Sequence, residues 1–120
     1  MHAVVNIIEG PPKLCQRRQH QEENHTCRKI YTRPEQPVSW AALVDKKLGC
    51  QLRLDWPSEF APYLGLWIDE GMYNTAPVAA LEPANGYYDS LERAMENQRY
   101  AKLAQGREIT WIIKVYLGAL

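Results

Sequence analysis

A chain of 120 residues, 46% hydrophobic and 23% charged, can bury one modest core, so a single domain or part of a larger one is predicted. With 14 Lys plus Arg against 14 Asp plus Glu and a pI near 6.8, there is no basic field to hold nucleic acid or an anionic membrane surface. The longest apolar stretches, such as 109–117, are interrupted by Thr110 and Lys114 and fall short of the roughly 20 residues a bilayer requires. The start of the chain lacks the basic flank and long apolar run of a signal peptide, and the odd number of cysteines at irregular spacing does not suit a disulfide framework. A cytoplasmic protein with reduced thiols is expected.

In chain order, residues 1–27 form a polar lead-in that is expected to be poorly ordered, with Lys13, Arg17, Arg18, Glu22 and Glu23 among glutamines. Cys15, His20, His25 and Cys27 are zinc-compatible ligand types, but their spacing fits no zinc pattern, and chance in a polar segment is the preferred reading, with no metal expected. From Arg28 the texture becomes β, with short alternating runs separated by proline and glycine. Short strands are predicted over 28–32, 39–44 and 78–82. A strand over 48–54 would bury Leu48, Cys50, Leu52 and Leu54 and end at Pro57. Another, over 62–69, puts Leu64, Leu66 and Ile68 on one face and Tyr63, Gly65, Trp67 and Asp69 on the other. Asp89 and Glu92 have the spacing of a capping box, and Leu91, Ala94 and Met95 continue at helical period to about Gln98. Turns are predicted at Asn85-Gly86 and Gln105-Gly106. The final strand, 109–117, should direct Ile109, Trp111, Ile113, Val115 and Leu117 to one side, with Trp111 in the core. The fold class is mainly β, an antiparallel β-sandwich over residues 28–120 with one short helix.

Carboxylates and aromatics concentrate in three pieces: Pro62 to Gly71, Val78 to Pro83, and Gly86 to Leu91. Acidic side chains accept hydrogen bonds from sugar hydroxyls and aromatic faces stack on the C–H side of a sugar ring, so this composition suits a carbohydrate site. The order of the pieces, from Lys29 to Gly118, resembles the C-terminal part of the aldose 1-epimerase (galactose mutarotase) family. The likeness rests on the aromatic-bearing strand Tyr63 to Asp69, a strand ending in Leu81-Glu82, and a glycine turn leading to a last strand with Trp111.

That resemblance implies part of a galactose mutarotase-like supersandwich and a mechanism without a cofactor. A glutamate at the position of Glu82 would remove the proton from the anomeric hydroxyl while a histidine protonates the ring oxygen. Asp45 falls near the family's sugar-binding aspartate. Trp67, Asp69, Tyr73 and Tyr87 complete the expected substrate-binding set, although loop tyrosines also serve to cover core edges and a strand-end glutamate can simply pair with an arginine such as Arg53. The family's histidines and arginine lie on an N-terminal portion with no counterpart here, since His2, His20 and His25 all precede the resembling region. The expectation is therefore an epimerase-like protein acting on or binding a hexose, truncated and incomplete as an enzyme. The alternative is a non-catalytic carbohydrate-binding β domain. Exposed sheet edges would then be covered by a second copy or a partner chain.

Overall fold

The computed structural model describes residues 25–87 and 89–120, together with the backbone of residues 5–7. Among the described residues, seven strands and one helix follow in the order β1 (Val5–Ile7), β2 (Thr26–Tyr31), β3 (Trp40–Asp45), β4 (Cys50–Asp55), β5 (Tyr63–Glu70), β6 (Val78–Ala84), α1 (Leu91–Glu96) and β7 (Lys114–Ala119). They make a mainly β fold of two antiparallel sheets, one ordered β1-β3-β4-β7 and the other β2-β5-β6. Ala41 of β3 and Leu54 of β4 meet Leu64 of β5 and Leu81 of β6 between the sheets, with Val38, Trp56, Ala61 and Trp111 closing the core. Trp56 is anchored there by its indole N–H, which donates to the Ala61 carbonyl at 2.8 Å. Cys15 and His20 of the predicted lead-in lie outside the described residues. Within it, β1 pairs with β3, and β2 begins two residues ahead of Arg28.

Three local expectations are corrected. Leu48 is exposed, because β4 starts at Cys50 and the preceding turn is closed by Gly49 at φ +64° and by Asp45 Oδ1, which accepts from the Lys47 and Leu48 N–H groups. The last strand covers Lys114–Ala119 and not 109–117. Its partner β4 ends at Asp55, opposite Lys114, since the next residue, Trp56, turns its N–H to the Ser39 carbonyl and Pro57 has none to offer. Without a partner strand, residues 107–113 stay irregular, although Trp111 still packs on the core. The helix is capped by Ser90, not Asp89. Ser90 is extended (φ −127°, ψ 140°) and its hydroxyl accepts from the Arg93 N–H at 3.0 Å, whereas Asp89 is drawn away to Lys29.

Candidate functional site

The β2-β5-β6 sheet has two unlike faces. Leu64, Leu66 and Ile68 are buried on the side that packs toward the core, and Leu81 follows them there. Strand pairing puts the other set of side chains in rows across the outward face: Lys29, Trp67 and Ala80 in one row, and Tyr31, Gly65 and Glu82 in the next. β5 is the middle strand, so β2 and β6 lie two strand spacings apart, about 9.5 Å. A side chain on β2 reaches β6 only by crossing whatever stands on β5.

Gly65 makes that crossing possible. A Cβ at this position would lie 3.2 Å from Lys29 Cε, 3.4 Å from Tyr31 Cε1 and 3.6 Å from Glu82 Oε2. With no side chain there, Lys29 lies across β5 and its ammonium reaches Glu82 Oε2 at 2.5 Å, and it also donates to Asp89 Oδ1 at the approach to α1. Burial alone would lower the Lys29 pKa, but hydrogen bonds to Asp89 and Glu82 outweigh it and raise it above lysine's ordinary value. Burial and the neighbouring Asp89 carboxylate push the Tyr31 hydroxyl up to about 12. Asp89 moves the other way: burial opposes ionisation, and hydrogen bonds from Lys29 and Tyr31 overcome it and hold the carboxyl below its usual range. Lys29 is therefore held as an ammonium and Asp89 as a carboxylate at neutral pH. The lysine is the most enclosed member of the cluster, 25% exposed, against 38% for Glu82 and 55% for Asp89. Acceptor oxygens consequently face outward.

Aromatic rings support this cluster. Tyr87 is buried and packs its ring against Tyr31 at 5.8 Å and Tyr63 at 5.3 Å, both at steep interplanar angles, and its N–H donates to the Arg99 carbonyl. It braces the Tyr31 and Tyr63 rings. Trp67 is half-buried on the same outward face, its indole N–H directed to Cys27 Sγ at 2.9 Å.

Of the residues singled out from sequence, Glu82 and Trp67 thus share one face, with Tyr87 packed against its Tyr31 and Tyr63 rings. Glu82 is paired with Lys29 and not with Arg53, which lies on the other sheet, doubly hydrogen-bonded to Asp55 and stacked on Trp40 at 4.3 Å. Asp45 is also on the other sheet, capping the β3–β4 turn. Asp69 is fully buried, and its oxygens accept from the N–H groups of Met72, Tyr73 and Asn74 and from Asn74 Nδ2. Burial would raise its pKa, but these donors prevail and hold it below the usual carboxylate range. Asp69 therefore shapes the loop on which exposed Tyr73 stands. Next to it, Glu70 is fully buried on the opposite face, bound by Arg28 at 2.6 Å and Thr26 at 2.9 Å.

Lys29, Tyr31, Gly65 and Asp89 are the members that sequence reasoning missed. One signal was readable: a glycine inside an otherwise aromatic and apolar strand marks a close approach by another group.

The described residues contain no group of three His, Cys, Asp or Glu side chains placed to hold a metal ion, and no helix long and apolar enough to cross a membrane. No family model, curated protein or solved structure matches the chain.

Proposed function

We propose that the outward face of the β2-β5-β6 sheet is a carbohydrate-binding surface, and that the chain acts as a binding domain for a hexose-sized sugar. The observation that carries this reading is the reach of Lys29 over Gly65 to Glu82 and Asp89. It gathers one ammonium donor and two partly exposed carboxylates into a small fixed array beside Trp67. Adjacent sugar hydroxyls each donate and accept, so a pair of them is matched by neighbouring donors and acceptors, while an aromatic ring covers the apolar face of the pyranose.

The resemblance to aldose 1-epimerases adds a catalytic version, with Glu82 as the base on the anomeric hydroxyl. That reaction also needs an acid that gives up its proton near neutral pH. Among the described residues, the protonated neighbours of Glu82 are Lys29, whose pKa lies above its ordinary value, and Tyr31, at about 12, and both hold their protons too firmly for that role. His25 immediately precedes β2, six residues from Tyr31 and about 20 Å along the chain, and its Nδ1 lies 3.2 Å from the Gly71 carbonyl. Binding without turnover is the reading the site supports best.

Calorimetric titration with glucose, galactose and mannose, paired with polarimetry on freshly dissolved α-anomers, tests both versions. Saturable heat that Glu82→Gln abolishes is expected, with mutarotation no faster than in buffer. No heat with any hexose would end the binding proposal. Mutarotation accelerated by the chain and abolished by Glu82→Gln would replace binding with catalysis.

A further inference from the structure

β7 is the outer strand of the four-stranded sheet and, among the described residues, is hydrogen-bonded on one side only, to β4. The Leu120 N–H donates to the Gly49 carbonyl at 3.0 Å, immediately beyond the Cys50↔Ala119 pair. In an antiparallel ladder, hydrogen-bonded pairs alternate, so Gly118, Tyr116 and Lys114 are the residues bonded to β4. Val115, Leu117 and Ala119 therefore aim their backbone N–H and C=O groups away from the sheet.

An open row of this kind is a template for another strand, and natural edges are usually blunted by proline, a bulge or an inward charge. β7 has no proline and one charge, Lys114, which stands opposite Asp55 and helps hold that carboxyl below its usual range. Its side chains are apolar and open to solvent, Leu117 at 76% and Val115 at 65% exposure, with Tyr116 and Leu120 beside them.

We infer that β7 pairs antiparallel with β7 of a second copy of this chain, about a two-fold axis through Leu117. The strand is complementary to itself in this register and needs no other partner to satisfy it. Leu117 exchanges two backbone hydrogen bonds with Leu117 of the second copy, and Val115 exchanges two with Ala119 on either side. The Ala119 carbonyl accepts from its own Tyr116 hydroxyl at 3.1 Å and from Gln51 Nε2 at 3.4 Å, and the longer Gln51 contact gives way to the Val115 N–H of the second copy. Tyr116 falls opposite Gly118 of the second copy, and since each Tyr116 ring lies over its own Gly118, the two rings come side by side across the joint. The Leu43, Leu52 and Leu117 row, aligned across β3, β4 and β7, continues into the same row of the other copy. Charge does not oppose the pairing. The two Lys114 residues sit at opposite ends of the joint, each beside a Leu120 and each facing its own Asp55, and the chain's formal net charge is zero. A two-fold axis closes the assembly at two copies.

Sedimentation of the 120-residue chain from micromolar to near-millimolar concentration tests this. The expected result is a rise to twice the 13.8 kDa of one chain. Leu117→Lys, which puts a charge on the axis, and Val115→Pro, which removes an outward N–H and leaves the β4 ladder intact, should both return the monomer with an unchanged circular dichroism spectrum. Within the wild-type dimer, the Val115 and Leu117 amides should exchange slowly with deuterated solvent. A monomer throughout the range, rapid exchange of those two amides in a dimer, or a dimer that survives both substitutions would overturn the inference.

Discussion

The two ends of the β2-β5-β6 sheet each carry a pair of acidic residues, and the pairs differ in what their oxygens meet. At one end Asp69 and Glu70 are fully buried, and the donors around them fix a loop and a strand edge. At the other, Glu82 and Asp89 share the ammonium of Lys29 and keep much of their surface in solvent. A buried carboxylate with its hydrogen bonds filled contributes to stability and has little left to offer a ligand. One that is fixed in place but only half satisfied can still accept. The contrast separates an acid that serves the structure from one still able to accept a hydrogen bond, as the proposed recognition requires.

The largest break in this comparison should come from the buried end. Glu70→Ala leaves Arg28 and Thr26 without their acceptor and should cost about 2–3 kcal/mol in urea unfolding, with the hexose response intact in whatever remains folded. Gly65→Val is next. Its side chain would occupy the space through which Lys29 crosses, so a loss of about 1–2 kcal/mol is expected, together with loss of the calorimetric signal for hexoses. A Gly65→Val chain that binds as well as the wild type would show that the Lys29 crossing is irrelevant to recognition. Lys29→Met keeps most of the aliphatic stem and removes only the partly exposed ion pairs. Its stability cost should stay at or below about 1 kcal/mol while binding is still lost. Asp45→Ala, on the other sheet, should cost about 0.5–1 kcal/mol through the β3–β4 turn and leave binding unchanged.

Acidity distinguishes the groups in a further way. Asp69 and Asp89 have pKa values below their ordinary 3.8 in the folded chain, so their stabilisation is present above that pH and is lost as pH falls through the folded values. Lys29 and Tyr31 are raised above 10.5 and 10.0, so theirs is present below those values and is lost as pH rises through the folded ones. Urea midpoints should therefore hold a plateau between about pH 5 and pH 9 and fall on both sides. With Lys29→Met the alkaline fall should shrink and the acid fall should remain, because Asp69 does not depend on Lys29.

Much of the fold could be read from alternation alone. β5 declared itself through Leu64, Leu66 and Ile68, and β2, β3 and β6 lie within a few residues of their predicted ranges. The final strand was overextended because side-chain alternation is a property of one strand, whereas strand length is set by the partner, here a β4 that ends before Pro57. Asp89 and Ser90 were exchanged as helix cap for a similar reason: a contact 60 residues away claims Asp89. The candidate site was legible only in part. Glu82 and Trp67 lie on a common face, but Lys29 enters from a strand 53 residues earlier in sequence, and only the register across Gly65 brings the two charges together. Asp69 had the same local signature as Glu82, an acid near the end of a strand. Its four donors come from the loop that follows, and no periodicity encodes them.

The most direct test of the recognition face is a ¹⁵N chemical-shift titration of the chain with a hexose, following the Gly65 amide and the Trp67 indole N–H. The account predicts saturable shifts concentrated at Lys29, Tyr31, Gly65, Trp67 and Glu82, with the Asp45 turn and the Asp69 loop silent. Shifts absent from this face at saturating sugar, or centred on the β3–β4 sheet, would contradict it.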